Sequence, residues 1–280
     1  MWFGWRFQIT PTNYILATLW SLGWSMIVLA GLIHLRLWVV LTLSLAVIVG
    51  HNALDAIKPE SWGAWAGLWH VLHVPGSFKL GGFNFRVLYP LIPWVAVMAA
   101  GYGFGTVFRL EPDARRKWLI GLGLGFCAAF VLLRFGNAYG NLTPWTTQRS
   151  AGFTLLSFLD CTKYPPSLCY LLMTLGPGLL LLAFFERGVP ALLRPALVFG
   201  RVPFFYYVLH LLHGLAYAMH LLRSGEGNLG PFSEKVPANA GVNLALTYVA
   251  WATVVILLYP VCRWFADLKR RRRDVWLSYF

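Results

Sequence analysis

The chain has 280 residues, 58% hydrophobic and 12% charged, with a formal net charge of +13. Soluble domains carry about 25% charged residues, so the composition excludes an ordinary soluble fold. It does not indicate nucleic acid either, because the basic residues sit in short connections and in one tail, Lys269–Arg273, where such clusters anchor a protein to anionic lipid.

A bilayer core is ~30 Å thick, so a spanning helix needs roughly 20 apolar residues. Backbone in lipid must satisfy its own hydrogen bonds, so each long apolar run predicts a helix. A β-barrel would instead show alternating segments of ~10 residues. The runs predict an all-α polytopic transmembrane bundle of about seven helices, near 14–33, 37–54, 87–108, 118–133, 167–185, 202–222 and 242–265. The expectation is a single integral membrane domain over 1–280 with a basic cytoplasmic tail, 266–280. The loop Lys58–Arg86 is rich in aromatics, among them Trp62, Trp65 and Trp69 with His70 and His73, a composition suited to the membrane–water interface.

Orientation follows from the basic residues. The connections His34–Arg36, Arg109–Lys117 and Glu186–Arg201 are short and basic, and the positive-inside rule places them, with the C-terminus, in the cytoplasm. The loops 57–86, 134–166 and 223–241 then face outward. Seven spans with this orientation put Met1 outside. The start, Met1-Trp2-Phe3-Gly4-Trp5, reads as the tail of an earlier helix, so an N-terminally shortened chain is expected. The cysteines Cys127, Cys161, Cys169 and Cys262 show no CxxC spacing. They predict neither a disulfide framework nor a zinc site, and no metal is expected.

Polar groups within spans are costly and mark cavities or pathways. His51 and Asp55 lie four apart at the end of the second run, on one face of a continuing α-helix. A carboxylate beside an imidazole suits a general base, and a polar helix end reaching interfacial water is the alternative. Asn52 sits between them. Arg86 and Tyr89 stand at the outer start of the third helix, as ligand-binding groups or as a membrane-interface anchor. Arg134 and Asn137 follow the fourth run. Lys163 and Tyr164 precede Pro165-Pro166-Ser167, where Ser167 reads as a helix cap. A cation and a phenol there would bind an anionic or sugar substrate; a plain re-entry turn uses the same residue types. His210 and His213 share a turn of the sixth helix. Bis-histidine haem needs a deep histidine on a facing helix and zinc needs three or four ligands, so this face reads as the lining of a cavity.

Short strings of the chain, in order, resemble the bacterial branch of the heparan-alpha-glucosaminide N-acetyltransferase catalytic-domain family. They are Trp20–Met26, Gly50–Asp55, Tyr89–Trp94, Lys163–Leu168, Met173–Pro177 and Gly200–Tyr207 leading into His210. The resemblance implies a multi-helix acyltransferase of the bacterial inner membrane. It would move an acetyl or other acyl group from acetyl-CoA, a co-substrate rather than a resident cofactor, to a sugar, amino sugar or envelope glycan on the outer side. The family has further helices before the region matched. The histidine credited with catalysis lies there and is carried onto no residue of this chain. Within the chain, the candidate catalytic groups are His51, Asp55 and His210. Asn52, Arg86, Tyr89, Arg134, Asn137, Lys163, Tyr164 and His213 would bind the acceptor, and Arg115, Arg116 and Lys117 would draw the CoA phosphates. A transporter or flippase and a non-catalytic fragment are the competing readings. The expected partners are the bilayer and the glycan substrate, and the chain is compatible with a homo-oligomer.

Overall fold

The structure is a computed structural model describing residues 12–211, 244–272, 274, 275 and 277. The described residues fall into two compact units, one of residues 12–188 and one of the described residues from 189 onward.

In the first unit the chain enters through strand β1 (Asn13–Leu16) and continues into helices α1 (Thr18–Leu32) and α2 (Leu37–Gly50). The expected first run therefore starts its helix at Thr18 rather than at residue 14. β1 pairs in parallel with β3 (Phe83–Val87), which pairs antiparallel with β2 (Gly76–Leu80). Aromatic rings stack across this ladder, Tyr14 on Phe85 and Phe78 on Phe85, each pair at 5.2 Å. The β2–β3 turn is Gly81-Gly82, with φ of 56° and 80°. Positive φ at both central residues matches the right-handed twist of a hairpin and favours glycine. This sheet and the short helix α3 (Ala66–Leu72) occupy the stretch expected as a plain loop.

Helices α4 (Leu91–Phe104), α5 (Pro112–Gly136), α6 (Ala151–Leu159) and α7 (Leu168–Phe185) follow. α5 begins earlier than the expected run 118–133, because Pro112 sits in its first turn with Asp113, both favourable at a helix start. Arg115, Arg116 and Lys117 are thus helical rather than in a loop. α6 lies inside the long stretch expected to be irregular, with Ser150 as its N-cap accepting from the Phe153 N–H.

The second unit contains helix α8 (Ala196–Arg201), helical residues 203–211, and helix α9 (Leu244–Arg271). In α9 the helix continues through the expected tail as far as Arg271. Val202, Leu258, Cys262, Phe265 and Leu277 form the core of this unit. The greater part of the expected helix 202–222, with His213, lies outside the described residues.

Among the described residues, five helical segments are long and apolar enough to cross a membrane: Leu37–Ala56, Leu91–Arg109, Pro112–Gly136, Leu168–Phe185 and Thr247–Arg271. α1, with 15 residues, is about 22 Å long and shorter than a bilayer core. The distribution of side chains supports a polytopic helical membrane protein. Large apolar groups face outward, with Leu132 73% exposed, while the buried hydroxyls of Ser25 and Ser44 donate to carbonyls one turn back, each at 2.7 Å. In lipid the inside of a bundle holds small and polar residues, because the outside is already apolar. α5 and α7 approach closely: a Cβ at Gly176 would lie 2.8 Å from Cys127 Sγ and 3.1 Å from the Cys127 main-chain nitrogen.

Candidate functional site

The polar groups of the first unit gather where α2 ends, α3 ends and α7 begins. α2 stops at Gly50 and the chain tightens into a 3₁₀ helix, His51–Ala56. This opposes the expectation that His51 and Asp55 share one α-helical face. The Asp55 carboxylate faces His73 instead, with His73 Nε2 2.8 Å from Asp55 Oδ1. Its other oxygen accepts from Asn52 Nδ2 at 2.8 Å. The Asp55 side chain is 13% exposed and that of His73 0%. His73 ends α3, held beside Trp69 at 5.4 Å between rings. Trp69 is fixed in turn by stacking on Trp62 and by donating Nε1–H to the Ile57 carbonyl at 2.9 Å.

His73 Nδ1 is buried and has no hydrogen-bond partner among the described residues. A carboxylate on one ring nitrogen fixes the tautomer and leaves the other as a basic lone pair. Asp55 and His73 therefore form a hydrogen-bonded carboxylate–imidazole pair, with the carboxylate at the accessible edge and the imidazole behind it. His51 is arranged differently. Its Nε2 lies 2.9 Å from the Pro166 carbonyl and its Nδ1 2.9 Å from that of Ile48, so both ring nitrogens are turned to main-chain oxygens. The histidine ties the end of α2 to the segment before α7.

The start of α7 is closed as an anion site, since its free N–H groups are already taken. Leu168 N donates to Asn52 Oδ1 at 2.9 Å, Cys169 N to the Gly140 carbonyl at 2.8 Å and Tyr170 N to Ser167 Oγ at 3.1 Å. Ser167 Oγ donates onward to Asn141 Oδ1 at 2.9 Å. Asn52 thus bridges Asp55 and α7, and Ser167 is the cap that its position suggested.

Arg134 and Asn137 belong to the scaffold. Arg134 is buried and donates to the carbonyls of Phe158, Thr143, Ser157 and Asp160 at 2.8–3.0 Å. It gathers the C-terminal carbonyls of α6, where a cation also meets the negative end of the helix dipole. Asn137, in the left-handed conformation at φ 50°, pairs both amide groups with the Trp145 backbone at 2.9 and 3.0 Å. Their donors, expected to meet a substrate, are engaged in holding the loop 137–160.

Lys163, Tyr164 and Tyr89 remain as a more open group. The Tyr89 and Tyr164 hydroxyls lie 3.2 Å apart and Lys163 Nζ is 5.3 Å from the Tyr164 ring centre. Burial pushes the Tyr89 phenol up, but hydrogen bonds with Thr18 and Tyr164 and the Lys163 charge bring it below its ordinary value. Burial opposes the Lys163 charge, yet the neighbouring phenols hold its pKa above the usual one, so it stays cationic. Burial also raises the Tyr139 phenol, and the Asp55 carboxylate adds to the rise. Arg86 is exposed on β3, opposite Ile15 and Ser77.

At the other end of α5, Arg115 Nε donates to Glu186 Oε1 at 2.9 Å and its Nη2 to Glu186 Oε2. This fork joins the start of α5 to the end of α7. Arg116 Nε is buried without a hydrogen-bond partner among the described residues, and Lys117 is exposed. Arg115 and Arg134 are 19 residues apart on one helix, about 28 Å at 1.5 Å per residue, close to the thickness of a hydrocarbon core. His210 is a residue of the second unit, its ring stacked on Tyr206 at 5.5 Å and edge-on to Tyr207 at 5.3 Å.

Sequence reasoning missed His73. Its signal was present: Trp69 and His73 share a helical face, and an imidazole there is one loop away from Asp55.

Residues 3–137 match the family described as heparan-alpha-glucosaminide N-acetyltransferase, catalytic, and this segment is similar to that family. The matched segment contains Asn52, Asp55 and His73 and ends before Lys163. No curated protein and no solved structure matches the chain.

Proposed function

We propose, from the similarity of residues 3–137 to the heparan-alpha-glucosaminide N-acetyltransferase catalytic-domain family, that this chain is a membrane-embedded acyltransferase of the bacterial inner membrane. It moves an acetyl or other acyl group from a CoA thioester to a sugar or amino sugar. The observation that carries the reading is the Asp55–His73 pair: a partly accessible carboxylate backed by a buried imidazole with a free nitrogen.

In this reading the acceptor amine or hydroxyl lies at the Asp55 end of the bundle, on the outer side, with Lys163, Tyr89 and Tyr164 binding its anionic or hydroxyl groups. Asp55 takes the proton as the acceptor attacks the thioester carbonyl. The carbon–sulfur bond breaks and CoA leaves as a thiolate. His73 keeps the carboxylate oriented and spreads the incoming proton. Arg116 and Lys117 attract the CoA phosphates at the cytoplasmic end, where Arg115 is already committed to Glu186. His51 contributes to the architecture, and the C-terminus is cytoplasmic.

The test uses the full chain in liposomes with labelled acetyl-CoA and a panel of amino sugars. General acid–base groups contribute typically 10²–10⁴-fold, so Asp55→Asn reduces transfer by at least roughly 100-fold while leaving the protein folded. His73→Gln gives a smaller loss and a displaced pH profile. Full transfer by Asp55→Asn refutes the assignment, and uptake of an unmodified sugar without acetylation refutes the enzyme reading.

A further inference from the structure

The second unit holds a cavity of about 470 Å³ between α8 with its preceding turn and the C-terminal part of α9. Its lining includes Arg194, Arg201, Arg263 and Arg270, with Asp267 and Tyr259. Tyr259, Arg263, Asp267 and Arg270 of α9 follow one another at spacings of four, four and three residues. They therefore share one helical face. Arg194 and Arg201 come from the opposite wall.

Four guanidiniums and one carboxylate give this cavity a formal charge of +3, counting 4 − 1 from its lining. Asp267 is already bound by Arg270 at 3.0 Å, which leaves Arg194, Arg201 and Arg263 facing the cavity with no further acid among its lining residues. Like charges brought together in this way repel one another unless an anion joins them. Guanidinium is planar, and its fork matches the oxygens of a phosphate in a bidentate arrangement.

The position along α9 indicates the source of the phosphate. Thr247–Arg271 is one of the segments able to cross a membrane, and Arg263 to Arg270 occupy its last turns. On the same stretch Leu257, Val261 and Trp264 are exposed, Trp264 by 61%. Exposed apolar side chains with a tryptophan just before a basic end mark the boundary between hydrocarbon and headgroups. A cavity of this size at this depth accommodates a headgroup while the acyl chains lie along the apolar flank of α9.

We propose that this arginine-lined cavity is a binding site for the phosphate of an anionic phospholipid headgroup. The inference stands apart from the acyltransfer reading, and neither Asp55 nor the start of α5 enters into it.

The test uses the full chain in nanodiscs of phosphatidylcholine with and without phosphatidylglycerol. Lipids retained after extraction are counted by native mass spectrometry, and thermal stability is followed in parallel. Phosphatidylglycerol is expected to raise the melting temperature and to remain bound. Each basic residue near an anionic surface is worth on the order of 1 kcal/mol, so the double variant Arg201→Gln/Arg263→Gln weakens retention roughly 30-fold. The control Lys269→Gln/Arg271→Gln removes the same charge outside the cavity lining and preserves retention. Arg201→Lys/Arg263→Lys keeps the charge but loses the fork, and it keeps the question open to measurement should the glutamine variant fail to fold; it too loses most of the retained lipid. Equal retention in the cavity and control variants overturns the proposal, as does equal stability in the two lipid compositions. Inorganic pyrophosphate added to phosphatidylcholine nanodiscs forms the third arm: stabilisation matching that of phosphatidylglycerol, and lost in the cavity variants, would assign the site to a soluble phosphate ester and overturn the lipid assignment.

Discussion

Arg134→Lys separates a scaffold role from a substrate-binding one. The native guanidinium is buried and donates four hydrogen bonds of 2.8–3.0 Å, to the carbonyls of Ser157, Phe158 and Asp160 at the end of α6 and to that of Thr143. A lysine keeps the charge but has one nitrogen, which reaches at most two of these oxygens from the same backbone position. At least two charge-assisted bonds are lost, each worth roughly 1.5–3 kcal/mol net, and the stranded carbonyls of Phe158 and Ser157 at the end of α6 are left in a protein interior. The sum is about 3–5 kcal/mol, allowing for some relaxation of the loop. The assay is thermal or denaturant unfolding of the full chain in a fixed detergent. The expected result is a large drop in stability, with new protease sensitivity between residues 137 and 160. Unchanged stability together with lost acceptor binding would refute the reasoning and return Arg134 to the substrate-binding residues.

Three further outcomes follow from the geometry. Gly176→Ala places a methyl 3.1 Å from the Cys127 nitrogen, where backbone must shift, whereas Gly178→Ala meets nothing within 4 Å; the first costs about 1–3 kcal/mol and the second leaves unfolding unchanged or slightly later. His51→Leu removes the partners of the Pro166 and Ile48 carbonyls and lowers stability by about 2 kcal/mol, while a partial loss of transfer in proportion to folded protein distinguishes it from Asp55→Asn. The Cys161 thiol is pushed up to about 11 from an ordinary 9.0, chiefly by burial, so it is protonated at neutral pH and ionises only in strong alkali. With the other cysteines changed to alanine, maleimide labelling at pH 8 should run roughly 100-fold slower than for a free thiol and rise with pH; labelling at the free-thiol rate would sink this reading.

Hydropathy made the lipid-crossing segments readable, because lipid leaves the backbone no alternative to a helix. It was less informative wherever a helix carries charge or is short. Pro112 and Asp113 are ordinary signals of a helix start, yet a count of apolar residues passes over them and begins α5 near Trp118. α6 has nine residues, too few for any window of spanning length. The Gly81-Gly82 pair between Phe78 and Phe83 is a hairpin signal in its own right, and the tryptophans around it drew the segment toward an interfacial loop instead.

The candidate site shows the same division more sharply. Ser167 was legible as a cap because capping depends on a residue type beside a helix start. The partner of Asp55 was not, because it depends on how the chain leaves α2. In an α-helix, residues four apart differ by about 40° in direction, so His51 would stand beside Asp55. In a 3₁₀ helix, with three residues per turn, the same pair differs by about 120°. The tightening at His51 therefore sends the two side chains to different neighbours. His51 reaches the Pro166 carbonyl, which lies 115 residues away in sequence. Asp55 turns to α3 and meets His73. One local change of helix type decides which histidine is a strap and which stands behind the carboxylate, and it explains why the two substitutions should differ in kind: loss of His51 is felt in folding, and loss of His73 in the orientation of the Asp55 carboxylate.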